Sequence, residues 1–205
     1  MSKRLKDETS EEKILEAARR VFLQKGMAGA RMQEIADEAG INKALLHYYF
    51  RNKELLFDRI FTQAAAKLFP KVVTILDADL PLFEKIEGFI SSYIDVMSEN
   101  PYLPLFVLNE VHRDPEGFYK RISGELKLPR PEKFLMQIDQ EVKLGNIRPV
   151  SPLQLFMNIL SGTVFPFIAK PLFQMHIGVD EFQFRQFMLQ RKTEFARFVI
   201  DALRK

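Results

Sequence analysis

The stretch MQEIADEAGINKALLHYYFRNK, residues 32–53, decides how the chain is read. Ile35, Ala36 and Ala39 recur at helical spacing and give a short first helix one small, tight apolar face. Gly40 follows, the residue best suited to a sharp helix exit because it takes positive φ without a Cβ clash. Ile41 plugs the corner, and Asn42 is a ready N-cap for a second helix that starts at Lys43 and lasts about two turns. Asn52 is placed to cap a third, beginning at Lys53.

A helix, a tight glycine turn and a second helix make the helix-turn-helix used to read DNA. From Gly40 to Lys53 the chain carries Lys43, Arg51 and Lys53 and no carboxylate, with His47, Tyr48 and Tyr49 between them. Such a mixture suits a phosphate-lined groove, since Lys and Arg neutralise phosphates and Tyr or His hydrogen-bonds to them. An ordinary helical hairpin with a basic outer face would share the bare pattern, so the particular residues matter.

Those residues resemble the signature of the TetR family of bacterial transcription regulators. The matching positions are Ile35, Ala36, Ala39, Gly40, Ile41, Leu46, Tyr48, Phe50, Lys53 and Leu56, and the likeness is detailed over about residues 10–60. The resemblance implies an all-α protein of about nine helices, with a DNA-binding domain over residues 1–54 and a ligand-binding and dimerisation domain over 55–205. It implies DNA contacts from Arg31, Gln33, Lys43, Ala44, Leu45, His47, Tyr48, Tyr49 and Lys53. Two positions depart from the family pattern. Arg31 stands where a capping Thr is usual, and Leu45 and His47 flank Leu46 where a small or polar residue and a Tyr are usual. Leu45 would offer a thymine methyl an apolar contact in place of a hydrogen bond, so the operator sequence does not follow from the motif.

Composition narrows the alternatives. The chain has 205 residues and no cysteine, which excludes disulfides, thiol catalysis and cysteine-ligated metals. Its net charge of +3 is too small to imply nucleic acid by itself. The charged start, MSKRLKDETSEEK, has no apolar core and reads as no signal peptide, and the apolar run at 156–169 is too short to span a bilayer. A bacterial cytoplasmic protein that does not engage the membrane is expected. With 19 phenylalanines and no Trp, the large apolar volume is carried by Phe, to fill a core, a partner interface or a pocket.

Taken in order, residues 1–8 read as a frayed arm, and Thr9-Ser10-Glu11-Glu12 as a capping box for a helix with Ile14, Leu15, Ala18, Val21 and Phe22 inside, stopped by Gly26. Residues 54–76 read as one longer helix, which Pro70 should kink or divide. Further helices are expected at 81–98, from Asn100-Pro101 to 112, at 115–126, 131–144 and 153–169, and from an Asp180 cap to 203. The last two are more apolar than a monomer's edge requires. In the family the last two helices pair across a two-fold axis, which implies an interface at Phe156, Leu160, Thr163, Phe187, Phe195 and Phe198, with Ser161 and Gly162 allowing close approach.

No catalytic constellation is legible. The histidines His47, His112 and His176 lie far apart, and no Glu-x-x-His pair, His-x-x-x-His, Gly-x-Ser-x-Gly or phosphate-binding glycine loop occurs. No enzyme, metal or cofactor is expected. Phe89, Tyr93, Phe106, Asn109, Phe134, Asn158 and Phe165 are the choices for a mostly apolar pocket with a few polar groups, whose ligand would be bulky and apolar or aromatic. The reading is a homodimeric, ligand-released repressor on a pseudo-palindromic double-stranded operator. The rivals are a helical carrier or enzyme with a vestigial motif, or an interaction protein using its terminal helices elsewhere.

Overall fold

The computed structural model describes the backbone of residues 2–101, 103–125 and 131–205. Among the described residues the structure is all-helical: α1 Ser2–Gly29, α2 Met32–Glu38, α3 Lys43–Tyr49, α4 Lys53–Asp77, α5 Leu82–Glu99, α6 Leu103–Arg113, α7 Pro115–Glu125, α8 Glu132–Lys143, α9 Pro152–Ile168, α10 Lys170–Ile177 and α11 Glu181–Leu203. That makes eleven helices, or twelve when α1 is divided at its Gly26 kink, where about nine were expected. The surplus has local causes. Gly26, at φ 65° and ψ 173°, breaks the helix, but a last turn re-forms to Gly29. After α9, the Lys170-Pro171 pair starts the separate helix α10, which the sequence reading ran into a loop.

Three other expectations are corrected. Helix α1 is already helical from Ser2, so the capping box at residues 9–12 marks no terminus and residues 2–8 are no frayed arm. Pro70 does not divide α4, which runs unbroken to Asp77. Asn100 closes α5 instead of opening α6: it is the C-cap, and its amide donates back to the Val96 carbonyl at 3.1 Å. As its side chain dictates, Arg31 sits at the N-cap of α2 without capping it, because a guanidinium has nothing to accept with; Glu34 alone closes the turn, accepting from the Arg31 N–H at 3.2 Å.

The chain forms two compact units, Met1–Ala65 and Ala66–Lys205. In the first, Ile14, Leu15, Ala18 and Phe22 of α1 are buried with Ile35 and Ala36 of α2, Leu46 of α3, and Leu56, Phe57 and Ile60 of α4. The Phe22 and Phe57 rings meet at 5.2 Å. Ion pairs fasten the helices around this core: Arg20 to Glu38 at 2.7 Å and Lys25 to Glu34 at 2.8 Å join α1 to α2, and Arg59 to Glu11 at 3.1 Å joins α4 to α1. All are partly exposed, so they fix geometry more than they add stability.

In the second unit α5 packs against α11 and α9, burying Ile86, Phe89, Ile90 and Ile94 against Leu155, Ile159, Phe167, Val199 and Ile200. Within it Pro166 lies inside α9 and cannot donate to the carbonyl one turn back, that of Gly162. Arg191 of α11 supplies the missing donors, giving Nε–H and Nη2–H to the Gly162 oxygen at 3.1 and 2.8 Å. The Phe195 ring lies so close to Gly162 that a Cβ there would stand 2.2 Å from it, and the Arg191 guanidinium covers that ring at 4.6 Å. Gly162 therefore permits the close approach expected of it, but between two helices of one chain.

Candidate nucleic-acid interface

Helices α2 and α3 meet at a turn built as its sequence prescribes. The Ile41 N–H donates to the Ala36 carbonyl at 3.0 Å and the Gly40 N–H to the Asp37 carbonyl at 3.1 Å, the paired bonds of a Schellman close. Gly40 takes φ 66°, which costs an L-residue about 1–2 kcal/mol and glycine nothing. Asn42 Oδ1 then accepts the Leu45 N–H at 2.7 Å, capping α3, and Asn52 Oδ1 accepts the Leu55 N–H at 2.8 Å, capping α4.

Only Leu46 among the α3 residues is fully buried, with Phe50 just beyond it, so α3 is pinned by one inward line. Lys43, Ala44, Leu45, His47 and Tyr48 are exposed together on the other side, Tyr48 at 81%. Tyr49 is half-buried and meets the Tyr48 ring edge-on at 5.4 Å. The carboxylates of α2 do not compete for this face. Glu34 is held below its ordinary range, first by the hydrogen bond from Lys25, with the Arg31 N–H adding to it, while Glu38 is paired with Arg20. Asp37 accepts from Gln33 Nε2 at 2.8 Å.

The remaining expected DNA contacts differ in freedom. Arg31 and Lys43 are exposed at the starts of α2 and α3. Gln33 is exposed but spends its amide on Asp37. Lys53 reaches back to the carbonyls of Ala28 and Ala30, at 3.4 and 3.3 Å, and so ties the end of α1 to the start of α4. Arg51, beside it and exposed, is a cation that the sequence reading counted but did not place among the contacts. The whole is an exposed second helix, with Lys43 at its start and Arg51 just past its end and no carboxylate, joined by a fixed turn to a first helix seated on Ile35 and Ala36, which defines a helix-turn-helix DNA-binding protein.

Comparison with known proteins agrees. Residues 14–60 match the profile of "Bacterial regulatory proteins, tetR family". The chain is 29% identical over 150 residues to the HTH-type transcriptional regulator RutR of Escherichia coli (strain K12), covering 73% of this chain and 70% of RutR. It is 28% identical over 188 residues to the HTH-type transcriptional regulator YfiR of Bacillus subtilis (strain 168), covering 80% and 82%. The fold is similar to that of the ketosteroid transcriptional regulator KstR2 of Mycobacterium tuberculosis, with a TM-score of 0.70 at 17% identity over 95% of both chains. Residues 14–60 thus carry the TetR-family helix-turn-helix, and the chain is a DNA-binding transcriptional regulator similar to members of that family.

The residues chosen for a pocket are only partly brought together. Phe89 packs on Tyr93 at 4.7 Å and on Phe156 at 6.0 Å, and Phe134 meets Phe156 at 6.3 Å. Burial pushes the Tyr93 hydroxyl up to about 12. Asn109, Asn158 and Phe165 are exposed and stand apart from this cluster, and the Phe106 side chain lies outside the described residues. Phe156, expected at a subunit interface, is thus the ring that links Phe89 to Phe134.

Two more of the expected interface residues also turn inward. Thr163 is fully buried and donates its hydroxyl to the Ile159 carbonyl at 2.7 Å, and Phe195 is spent on Gly162 and Arg191. Leu160 is half-buried. Phe187 and Phe198 do face outward, at 50% and 71% exposure. So do Leu153, Met157 and Phe165, spaced four and eight residues apart on the side of α9 opposite its buried residues, with Ser161 between them. The sequence carried this second stripe in plain view: a helix apolar on both sides at helical spacing.

Proposed function

We propose that the protein is a homodimeric repressor, acting in the cytoplasm, that binds a pseudo-palindromic operator and leaves it when a bulky, mostly apolar effector binds the body. The observation that carries the dimer is the outward stripe Leu153, Met157 and Phe165 of α9 with Phe187 and Phe198 of α11. An α-helix apolar on both sides belongs inside something, and its own unit covers only one side. A second copy presenting the same stripe would cover the other and set two α3 helices about 34–36 Å apart, one DNA turn. The effector would bind at the cluster of Phe89, Tyr93, Phe134 and Phe156, where apolar rings surround one hydroxyl and no charge. Binding there releases DNA by favouring a spacing of the two readers that no longer fits both half-sites.

The test is fluorescence anisotropy with the duplex upstream of the protein's own gene, titrated at two salt concentrations, beside sedimentation of the free protein. Salt-sensitive binding at one or two dimers per site, by a protein that sediments as a dimer, is the expected result. A monomer in dilute solution, or binding as weak as to unrelated DNA, would overturn the reading.

A further inference from the structure

On the reading face His47 differs in kind from its neighbours. Its Nδ1 lies 3.0 Å from the Arg51 carbonyl, which can only accept, so Nδ1 carries the hydrogen. In a neutral ring Nε2 is then a bare acceptor. The ring is exposed, and no residue of α2, α3 or the turns around them is bonded to Nε2. Around it Lys43 and Arg51 are cations and the Tyr48 phenol can donate as well as accept, so neutral His47 is the one whose free ring nitrogen only accepts.

An acceptor is the wrong group for a phosphate oxygen, which is itself an acceptor. In the major groove the donors are the exocyclic amino groups, N6 of adenine and N4 of cytosine. Resting on the DNA-regulator reading above, we propose that His47 is a specificity-determining residue, accepting through Nε2 from an adenine or cytosine amino group in each half-site instead of contacting the backbone. The Arg51 carbonyl makes this selective, because in the neutral ring it fixes the tautomer whose Nε2 is the acceptor. Where relatives of the family place a Tyr, whose hydroxyl can donate, this chain places a group that reads a base.

The experiment starts with selection of sites from a randomised duplex pool by the full-length protein and by His47→Ala. The wild type should enrich an adenine or cytosine at one position of each half-site, and the variant should lose that preference alone. Removing the amino group, by placing purine for adenine or 2-pyrimidinone for cytosine at that position, should weaken wild-type binding about 3- to 10-fold, one hydrogen bond's worth, and the variant not at all. Both proteins should show the same salt slope. If instead His47→Ala keeps the sequence preference and flattens the slope by about 0.9 per subunit, His47 holds a phosphate and the proposal is overturned, with the regulator reading intact. A wild type that enriches no sequence overturns both. The variant's melting temperature, expected unchanged at so exposed a position, separates a lost contact from a lost fold.

Discussion

Helices α3 and α9 dispose of their apolar residues in opposite ways. In α3 one buried residue, Leu46, anchors the helix, and the exposed side mixes Lys43, Leu45, His47 and Tyr48. In α9 Leu155, Ile159 and Phe167 are buried within the unit, and Leu153, Met157 and Phe165 form a second, unsheltered stripe. The first pattern is complete in one chain, and its outer side suits a polar, charged partner. The second is incomplete in one chain, because three large apolar side chains stay exposed there with no charge among them, and only Gln154, Asn158 and Ser161 are polar on that side. On the proposed reading one helix is finished by DNA and the other by a second copy, and the residue types on the outer faces distinguish the two.

The comparison is broken most severely from inside the first unit. If the reading helices stand on the small core beneath them, Phe22→Ala should cost about 3–5 kcal/mol, since the ring is fully buried against Phe57 and little can collapse into its place. Urea unfolding of the variant, followed by circular dichroism, measures this. A loss below 1 kcal/mol would mean that the unit is held by something other than its core.

The second stripe is tested by putting a charge on it. Met157→Lys combined with Phe198→Glu should weaken dimer association by about 2–4 kcal/mol while leaving helix content unchanged, because both side chains are exposed in the single chain. Sedimentation equilibrium reads the result. A variant that stays dimeric would place the partner's footprint elsewhere, and then the stripe on α9 would lack an explanation.

The same contrast explains what could be read in advance. Residues 32–53 were legible because each turn there is fixed by a local rule: Gly40 at positive φ, and Asn42 and Asn52 as caps whose bonds form as their types dictate. The order of α5 to α8 also followed, since Pro and Gly punctuate them, although Asn100 closes α5 where it was expected to open α6. The proposed subunit face did not, because Phe156 and Phe195 are as apolar in sequence as Met157 and Phe198. Which side of α9 turns inward is settled by α5 and α11, far away in the chain. Arg191 shows the same limit. Its task, filling the hydrogen bond that Pro166 leaves open at Gly162, needs three residues from two helices at once. Lys53 illustrates it within the motif itself: its place in the signature is clear, but its hold on the Ala28 and Ala30 carbonyls is tertiary.

That last point separates two lysines of the reading surface. Lys43→Ala should weaken binding to every sequence and flatten its salt dependence by about 0.9 per subunit, with stability within about 0.5 kcal/mol of wild type. Lys53→Ala should in addition lower stability by about 1 kcal/mol, because two carbonyls at the close of α1 lose a charged donor. Salt-series anisotropy and urea unfolding on both variants decide it. Equal stabilities would show that Lys53 serves DNA alone.

The smallest effect concerns charge, where the two units also part company. Among the described residues Lys85, in the second unit, is the one charged residue that is buried, and its ammonium donates to the Leu76 carbonyl at 3.2 Å. Burial, more than anything else, holds Lys85 below its ordinary 10.5, with Lys133 pushing the same way and Asp79 and Asp77 pulling it back. Between the lowered folded value and 10.5 the unfolded chain therefore binds more protons than the folded one, so this group makes stability rise with pH across that window. Lys85→Met removes the group and with it the rise. The difference in unfolding free energy, wild type minus variant, should grow as pH climbs toward 10.5, measured by urea titrations at successive pH values. A difference that shrinks over the same range would mean that Asp77 and Asp79 outweigh burial, and that the body, like the reading unit, holds its charge as a paired one.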